Sequence, residues 1–484
     1  MTRSSLTKSG SREKTTADRR PLTAVKNRVQ GTVSRGQGKT DRGPVTGDGQ
    51  NHFTSEIVKR TTVLNKPHNN PVKVIHFADL HLGMENYGRI DSKTGLNQRV
   101  VDFLKSFNFL ASKAIEENVA LVVFAGDAFR NQKPNPTLQR EFARIIRRLL
   151  KEDIKVLLLV GNHDLPNMDK HANSMAVYSA LEIDGVYVAN KADLLLIETK
   201  HGPVQVATLP HFSRSQITAY LKEHDIESKG KTLSELNDLM ERTVEGFVKG
   251  LASRVDKSLP AILVAHISVS SATVGNEARS ILMGNELTVL PSVLQQPEFD
   301  YVALGHIHKF QDLSNGNYPH LVYSGSIDRV DFSEEKEEKG FCLVSLARGK
   351  TTYKFIQTPA RRFVTIDIEC KSEDPTAEIC SICEKTNLED SVVRVRARIP
   401  ARMKDQIRKT EILGALSHAY YVAYINIEAV GEQVRTRNPN LTESQTPIGA
   451  LSEYIKTRED LLERKEELLA YGQKLMDELM QRKI

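Results

Sequence analysis

The sequence predicts an α/β fold built on parallel strands, with a smaller α+β unit after it and a helical segment at the end. Three observations carry that expectation. In Val156-Leu-Leu-Leu-Val-Gly-Asn-His-Asp164 a run of branched apolar residues stops at Gly161 and delivers an amide, an imidazole and a carboxylate in a row. An apolar run of that length, closed by glycine, reads as a strand buried on both faces. The construction recurs: Val74–Ala78 runs into Asp79-Leu-His81, Leu121–Ala125 into Gly126-Asp127, Ala261–Ala265 into His266, and Tyr301–Leu304 into Gly305-His-Ile-His308. Between the first three runs lie stretches of helical period, and strand–helix–strand at these lengths is the signature of a parallel sheet.

Taken in order, residues 1–70 are rich in Ser, Thr, Gly, Arg and Lys without periodicity, and read as disordered. Gly36-Gln-Gly-Lys-Thr40 resembles a fragment of a phosphate loop but is a decoy: the required first glycine falls on Val33, and no strand precedes it. From Pro71 the pattern is β-α-β-α-β. Asn97 caps a helix whose apolar face is Val100, Phe103, Leu104, Phe107, Leu110 and Ala114. A second helix presents Leu138, Phe142, Ile145, Ile146 and Leu149 on one side. After residue 180 the strands come closer together (Val186–Val188, Leu194–Ile197, Val204–Thr208), which predicts a second sheet packed on the first.

Near Phe355 the character changes. Phe363–Glu369, Val392–Ile399 and Tyr424–Ala429 read as strands, with helices expected over Thr376–Lys385 and Lys404–Ala419. The resulting partition is a basic extension at 1–70, a main domain at 71–355, a small domain at 356–435 and a helical end at 436–484. Asn438-Pro-Asn-Leu-Thr442 reads as a linker, and Thr446 with Pro447 opens a long helix. In that helix Ile448, Ile455, Leu462, Leu469 and Met476 recur every seventh residue beside Leu461, Leu468 and Leu475, a docking stripe among charged residues.

Composition narrows the class. No apolar run approaches the roughly 18 residues of a membrane span, and no secretion signal opens the chain. Cys342, Cys370, Cys380 and Cys383 are too few for a disulfide framework, so a reducing cytoplasm is expected, and the lone Cys380-Ser-Ile-Cys383 reads as buried small residues on a helix. Residues 1–70 carry a net charge of +9, whereas residues 71–484 carry −3, so the basic pI belongs to the extension. Nucleic-acid binding by the folded body must therefore rest on local patches.

Five apolar runs ending in His, Asp or Asn offer the nitrogen and oxygen donors of a borderline-to-hard divalent cation. The ordered set Asp79-Leu-His81, Gly126-Asp127, Gly161-Asn-His-Asp164, His266 and Gly305-His-Ile-His308 resembles the calcineurin-like metallophosphoesterases, and within them the SbcD-type exonucleases. The resemblance covers roughly residues 72–435 and the terminal helix. It implies a four-layer α-β-β-α sandwich with a capping domain. It also implies two metal ions, expected to be Mn²⁺: Asp79, His81 and His308 on one, Asn162, His266 and His306 on the other, and Asp127 shared. The mixed donor set permits Mn²⁺ without excluding Mg²⁺, Fe or Zn²⁺. His163 is left to serve the leaving oxygen, with Asp164 expected to hold its tautomer. His76, His171, His201 and His211 read as structural.

The resemblance further implies cleavage of DNA, 3′–5′ on double strands and endonucleolytic on single strands. It also implies a homodimer and an SbcC-like ATPase whose coiled coil takes the terminal helix. A phosphodiesterase or phosphatase on another substrate, and a scaffold with a silent site, are the alternatives. Within the body, seven basic residues against one acidic between Val392 and Lys409, with Arg394, Arg396 and Arg398 on one strand face, read as a clamp for the DNA backbone. A solvated strand face is the other reading. The loop Asn86–Asn97, with Gly88, Arg89, Asp91 and nearby Arg99, is a second candidate for contact with DNA or a second protomer.

Overall fold

The structure, a computed structural model, describes residues 70–166, 172–212, 214–224, 233–274, 287–430, 447–456 and 458–481. The extension up to residue 69 with its glycine-rich stretch, His171, the linker at 438–442 and the Thr446 cap lie outside the described residues.

In chain order the strands begin β1 (Val72–Phe77), β2 (Leu121–Phe124), β3 (Lys155–Leu159), β4 (Val186–Ala189), β5 (Asp193–Thr199), β6 (Gly202–Leu209), β7 (Ala261–His266), β8 (Ser268–Val269) and β9 (Thr288–Val289). They continue as β10 (Tyr301–Gly305), β11 (Gln311–Asp312), β12 (His320–Tyr323), β13 (Gly340–Leu346), β14 (Thr352–Gln357), β15 (Phe363–Glu369), β16 (Val392–Pro400) and β17 (Tyr421–Val430). One six-stranded sheet has the order β14-β13-β1-β2-β3-β4 and a second the order β11-β12-β10-β7-β6-β5. β1 to β4 run parallel, with β13 returning antiparallel beside β1. β6, β7, β10 and β12 run parallel in the second sheet.

The pleat sends successive side chains to opposite faces, so a strand that reads apolar throughout needs cover on both. Ile75, Phe77, Val122, Phe124, Val156 and Leu158 pack against Val100, Phe103 and Phe107 of α1 (Gln98–Glu116) and Phe142 and Leu149 of α2 (Pro136–Leu150). Their neighbours Val74, Leu121, Val123, Leu157 and Leu159 face the other way, onto Val204, Val206, Ile262, Val264 and Val322 of the second sheet. The far side of that sheet, with Leu209, Leu263 and Leu304, is covered by Val244, Val248 and Leu251 of the helix Leu233–Ser253. Asn97 caps α1 by accepting from the Arg99 amide at 2.9 Å, and Asn135 caps α2 by accepting from the Leu138 amide at 3.0 Å; each is worth about 1 kcal/mol. His76 is structural, buried between the sheets with Nδ1 3.1 Å from the Tyr301 hydroxyl and Nε2 3.1 Å from the Leu304 carbonyl.

β15, β16 and β17 form a parallel sheet whose inner face packs on Ile379 and Cys383 of the helix Pro375–Lys385 and on Ile412. Three details differ from expectation. The change of character at Phe355 falls inside β14, which belongs to the first sheet and runs to Gln357. The helix expected over Lys404–Ala419 is instead a 3-10 turn, Ala401–Gln406, and a short helix, Lys409–Ala415. The break is tertiary: the Thr376 hydroxyl donates to the Gln406 carbonyl and accepts from the Arg408 amide, both at 3.1 Å, taking up groups a continuous helix would use.

The long terminal helix is likewise three pieces, Pro447–Lys456, a 3-10 turn Glu459–Arg464, and Lys465–Gln481. The outer two fold against each other. A Cβ on Gly472 would stand 2.6 Å from Leu451 Cδ2 and 3.4 Å from Ile448 Cδ1, so the missing side chain is what permits the crossing. The single stripe is thereby divided: Ile455 is buried, while Leu462 and Leu475 stay exposed.

Candidate metal centre

Asp79, His81, Asp127 and His306 all have positive φ, at 52°, 43°, 63° and 99°. For side-chain-bearing residues this region costs on the order of 1–3 kcal/mol each and persists only where surrounding contacts enforce it. Those contacts are present. The amides of Asp79 and His81 donate to the carbonyls of Gly126 and Asp127, each at 3.0 Å, lacing the turn after β1 to the turn after β2. Glycine allows the closest approaches. Gly126 has φ +103°, and a Cβ there would lie 2.3 Å from His266 Nδ1; one on Gly161 would lie 2.2 Å from Asp127 Oδ1.

The strand ends bring all seven expected ligands together. One potential ligand atom from each of Asp79, His81 and His308 lies within 4.8 Å of the others, and the same holds for Asp79, Asp127 and His266, and for His81, Asp127 and His163. Asp127 Oδ2 stands 3.7 Å from His81 Nε2 and 3.5 Å from His266 Nε2, with its other oxygen accepting from the His163 amide at 2.8 Å. Asn162 Oδ1 is 2.8 Å from His266 Nε2 and 3.2 Å from His306 Nδ1. The His306 amide donates to both Asp79 oxygens, at 3.0 and 3.1 Å.

Behind these groups a second ring of contacts sets tautomers. His266 Nδ1 faces the Ala125 carbonyl at 2.7 Å, so that nitrogen carries a hydrogen and Nε2 is the atom turned inward, toward Asp127 and Asn162. His308 Nδ1 faces Glu334 Oε1 at 2.7 Å, and its Nε2 lies 2.9 Å from His81 Nε2. Carboxylates, an amide oxygen and inward nitrogens thus converge on one volume, which needs positive charge to be stable. The balance of burial and charge at these groups agrees. Burial would push Asp127 up, but the charge of His266 and the bond from it outweigh this and hold the carboxyl well below its ordinary range. Burial would push His266 down, but the charge of Asp127 and the bond to it lift the imidazole to about 9. Burial, with His308 nearby, keeps His81 well below its usual value and neutral, the form that donates to a metal. The donor set therefore fits a pair of divalent cations.

Asp164 does not do what its position suggested. It is fully buried and accepts from the Gly161 amide at 3.1 Å, the Asp127 amide at 3.0 Å, the Ala128 amide at 3.2 Å and the Ser174 hydroxyl at 2.9 Å. It shapes the two turns, and His163 Nδ1 instead meets the Arg130 carbonyl at 3.1 Å. Burial and the neighbouring Asp127 charge raise the Asp164 carboxyl to about 6.

Sequence reasoning missed two residues. His211, read as structural, sits beside the site, its ring 6.2 Å from that of His306 and 6.1 Å from that of His266. The signal was present, since an apolar strand, β6, ends at Leu209 just before Pro210-His211. Glu334 had no such signal, because nothing in a polar loop marks the carboxylate that will meet a distant histidine.

The expected DNA-facing residues are only partly available. Arg394, Arg396 and Arg398 share the outer face of β16, but Arg396 forks onto Asp367 with two bonds of 2.6 Å and Arg398 lies 3.4 Å from Glu428. Arg394 donates to Thr365 Oγ1 at 2.7 Å and covers the Phe332 ring. These partners offset much of the charge that the sequence alone assigned to a clamp. Arg99 is excluded as a DNA contact: it is 1% exposed and bonded to Asp102, Asp328 and the Arg329 carbonyl. The loop 86–97 lies against the small domain, with Tyr87 on Phe332 and Phe363 and Arg89 over Tyr421.

Residues 72–310 match the family model of the calcineurin-like phosphoesterases. The chain is 27% identical over 320 residues to the DNA double-strand break repair protein Mre11 of Archaeoglobus fulgidus, covering 62% of each. It is 27% identical over 282 residues to the SbcD component of the nuclease SbcCD of Escherichia coli, covering 58% of this chain and 66% of that one. With the SbcD component of the same nuclease in Staphylococcus saprophyticus it shares 25% over 322 residues, 65% of this chain and 76% of that one. The chain thus spans less than two thirds of the length of the first two. Over residues 72–310, whose ordered motifs meet at the strand ends, the chain is similar to the calcineurin-like phosphoesterases, and among curated proteins it is similar to SbcD-type nucleases.

Proposed function

We propose that this protein is a dinuclear metal-dependent DNA nuclease, a 3′–5′ exonuclease on double strands and an endonuclease on single strands, that processes DNA ends with an SbcC-like ATPase. The observation that carries this reading is the convergence around Asp127, whose Oδ2 faces an imidazole on either side. Asp79, His81 and His308 would hold one ion, Asn162, His266 and His306 the other, and Asp127 both. Mn²⁺ suits the mixed oxygen and nitrogen shell. Two divalent ions held there would supply Lewis acidity to phosphate oxygens and lower the pKa of bound water.

The chain's own part is positioning and proton transfer. The His163 amide fixes Asp127, and the Arg130 carbonyl fixes the His163 ring. In its cationic form His163 donates from both nitrogens, one to Arg130 and one to the departing sugar oxygen. Two carboxylates among neutral imidazoles leave a loaded centre net positive, which favours a polyanion.

The same reading takes the two covered sheets as the four-layer α-β-β-α sandwich, residues 356–435 as its DNA-facing cap and the terminal hairpin as the ATPase dock, in a cytoplasmic homodimer. Assaying linear duplex DNA beside a small phosphodiester, with and without Mn²⁺, separates the possibilities. A nuclease cuts both with metal, a phosphodiesterase of other specificity spares DNA, and a silent scaffold cuts neither.

A further inference from the structure

The turn Phe332–Glu334 and the residue after it face two ways. Inward, Glu334 is 3% exposed and accepts from His308 Nδ1 at 2.7 Å, Lys339 Nζ at 2.8 Å and the Val330 amide at 2.9 Å. Outward, Glu335 accepts from the Thr365 amide at 2.8 Å and from the Thr365 hydroxyl, both on β15 of the small domain. That hydroxyl in turn accepts from Arg394 Nε at 2.7 Å. The Arg394 guanidinium lies 4.4 Å from the centre of the Phe332 ring, which packs on Phe363 of β15. The outward contacts of Phe332 and Glu335 thus reach the small domain, and the inward contact of Glu334 reaches a candidate metal ligand.

Consecutive Cα atoms are about 3.8 Å apart and a tight turn has little slack, so a shift of Glu335 carries Glu334 with it. A partner on the far nitrogen of a metal-ligating histidine sets its tautomer and ring angle, and losing such a partner weakens metal binding about 10- to 100-fold. Lys339 and the Val330 amide hold one oxygen of Glu334; the register of the turn decides where the other, the one that meets His308, comes to rest.

We propose that Thr365 and Glu335 are positioning residues of the metal centre: by fixing the turn they set Glu334, and through it the readiness of His308 to hold a cation. The small domain is therefore a structural part of the metal site. This rests on the metal-centre reading above, and the experiment distinguishes the two. Mn²⁺ is titrated by calorimetry into the full-length protein and its Thr365→Val, Thr365→Ser, Glu335→Ala and Glu334→Gln variants. Hydrolysis of bis(p-nitrophenyl) phosphate is followed against Mn²⁺ concentration in parallel.

Thr365→Val and Glu335→Ala are expected to weaken one of two Mn²⁺ sites about 5- to 20-fold, short of the full loss for Glu334→Gln. Their turnover at saturating Mn²⁺ stays within about twofold of wild type, and Thr365→Ser, which restores the hydroxyl, binds as wild type. Thr365→Val is nearly isosteric; should it fail to fold, Glu335→Gln, which keeps the shape and drops the charge, is expected to weaken the same site several-fold. Wild-type affinity in both Thr365→Val and Glu335→Ala, with weakened binding in Glu334→Gln, would overturn the coupling and leave the metal centre standing. Absence of any tight Mn²⁺ site in the wild type would remove both.

Discussion

His163 Nδ1 lies 3.1 Å from the backbone carbonyl of Arg130, so the ring is oriented by a group that no side-chain substitution can delete. Replacing the ring itself tests its role. His163→Gln is expected to lower turnover on linear duplex DNA by about 10²–10⁴-fold, the usual worth of a positioned proton donor. Mn²⁺ binding and DNA affinity should stay within about twofold. Loss of metal together with activity would make His163 a ligand and not an acid.

Asp164 should behave as a scaffold carboxylate. Asp164→Ala strips acceptors from three buried amides and a hydroxyl, and is expected to cost on the order of 2–4 kcal/mol of stability in denaturant titration. Because one of those amides belongs to Asp127, Mn²⁺ affinity should fall with it. A variant of wild-type stability but wrecked turnover would point to a chemical role instead.

Acid sensitivity has a named contributor. Burial pushes His76 from 6.5 down to about 3, only partly offset by its bond to the Leu304 carbonyl. Between those values the unfolded chain binds a proton that the folded chain refuses, so stability falls as pH drops, by about 1.4 kcal/mol per pH unit from this group. Above pH 7 it contributes no slope. His76→Gln is expected to be less stable at neutral pH but to lose stability more slowly between pH 6 and 4. Equal slopes for the two proteins would refute the assignment.

The arginine face of β16 should bind DNA more weakly than its charge suggests. With Arg396 on Asp367 and Arg398 beside Glu428, replacing Arg394, Arg396 and Arg398 by Ala should reduce the slope of log K against log salt by about 1–2, not by the 3 of unpaired cations. An unchanged slope would remove this face from the DNA path.

The sheets and the side chains that converge at their strand ends were legible because each is written locally. A buried parallel strand reads as an apolar run, and a candidate ligand at its end is the first polar residue with no packing reason to be there, as with Asp79, Asp127 and His266. What escaped depends on distant partners. The Lys404–Ala419 helix is broken by the Thr376 hydroxyl, and the Pro447 helix folds back where Gly472 leaves room for Leu451. The arginines of β16 looked free only because Asp367 and Glu428 stand on neighbouring strands, in a register that pairing alone sets. Asp164 was assigned to the adjacent His163 by proximity along the chain, when its carboxylate serves the turn after β2.

β13 returns to lie against β1, pairing Leu346 with Val72, so the first strand of the described residues is flanked on one side by a strand made much later. Until residues 340–346 are made, that flank of β1 offers bare amides and carbonyls to any strand that passes, including its own in another nascent copy. A fragment trimmed at residue 310, where the family match stops, would keep this exposure permanently and should precipitate rather than fold.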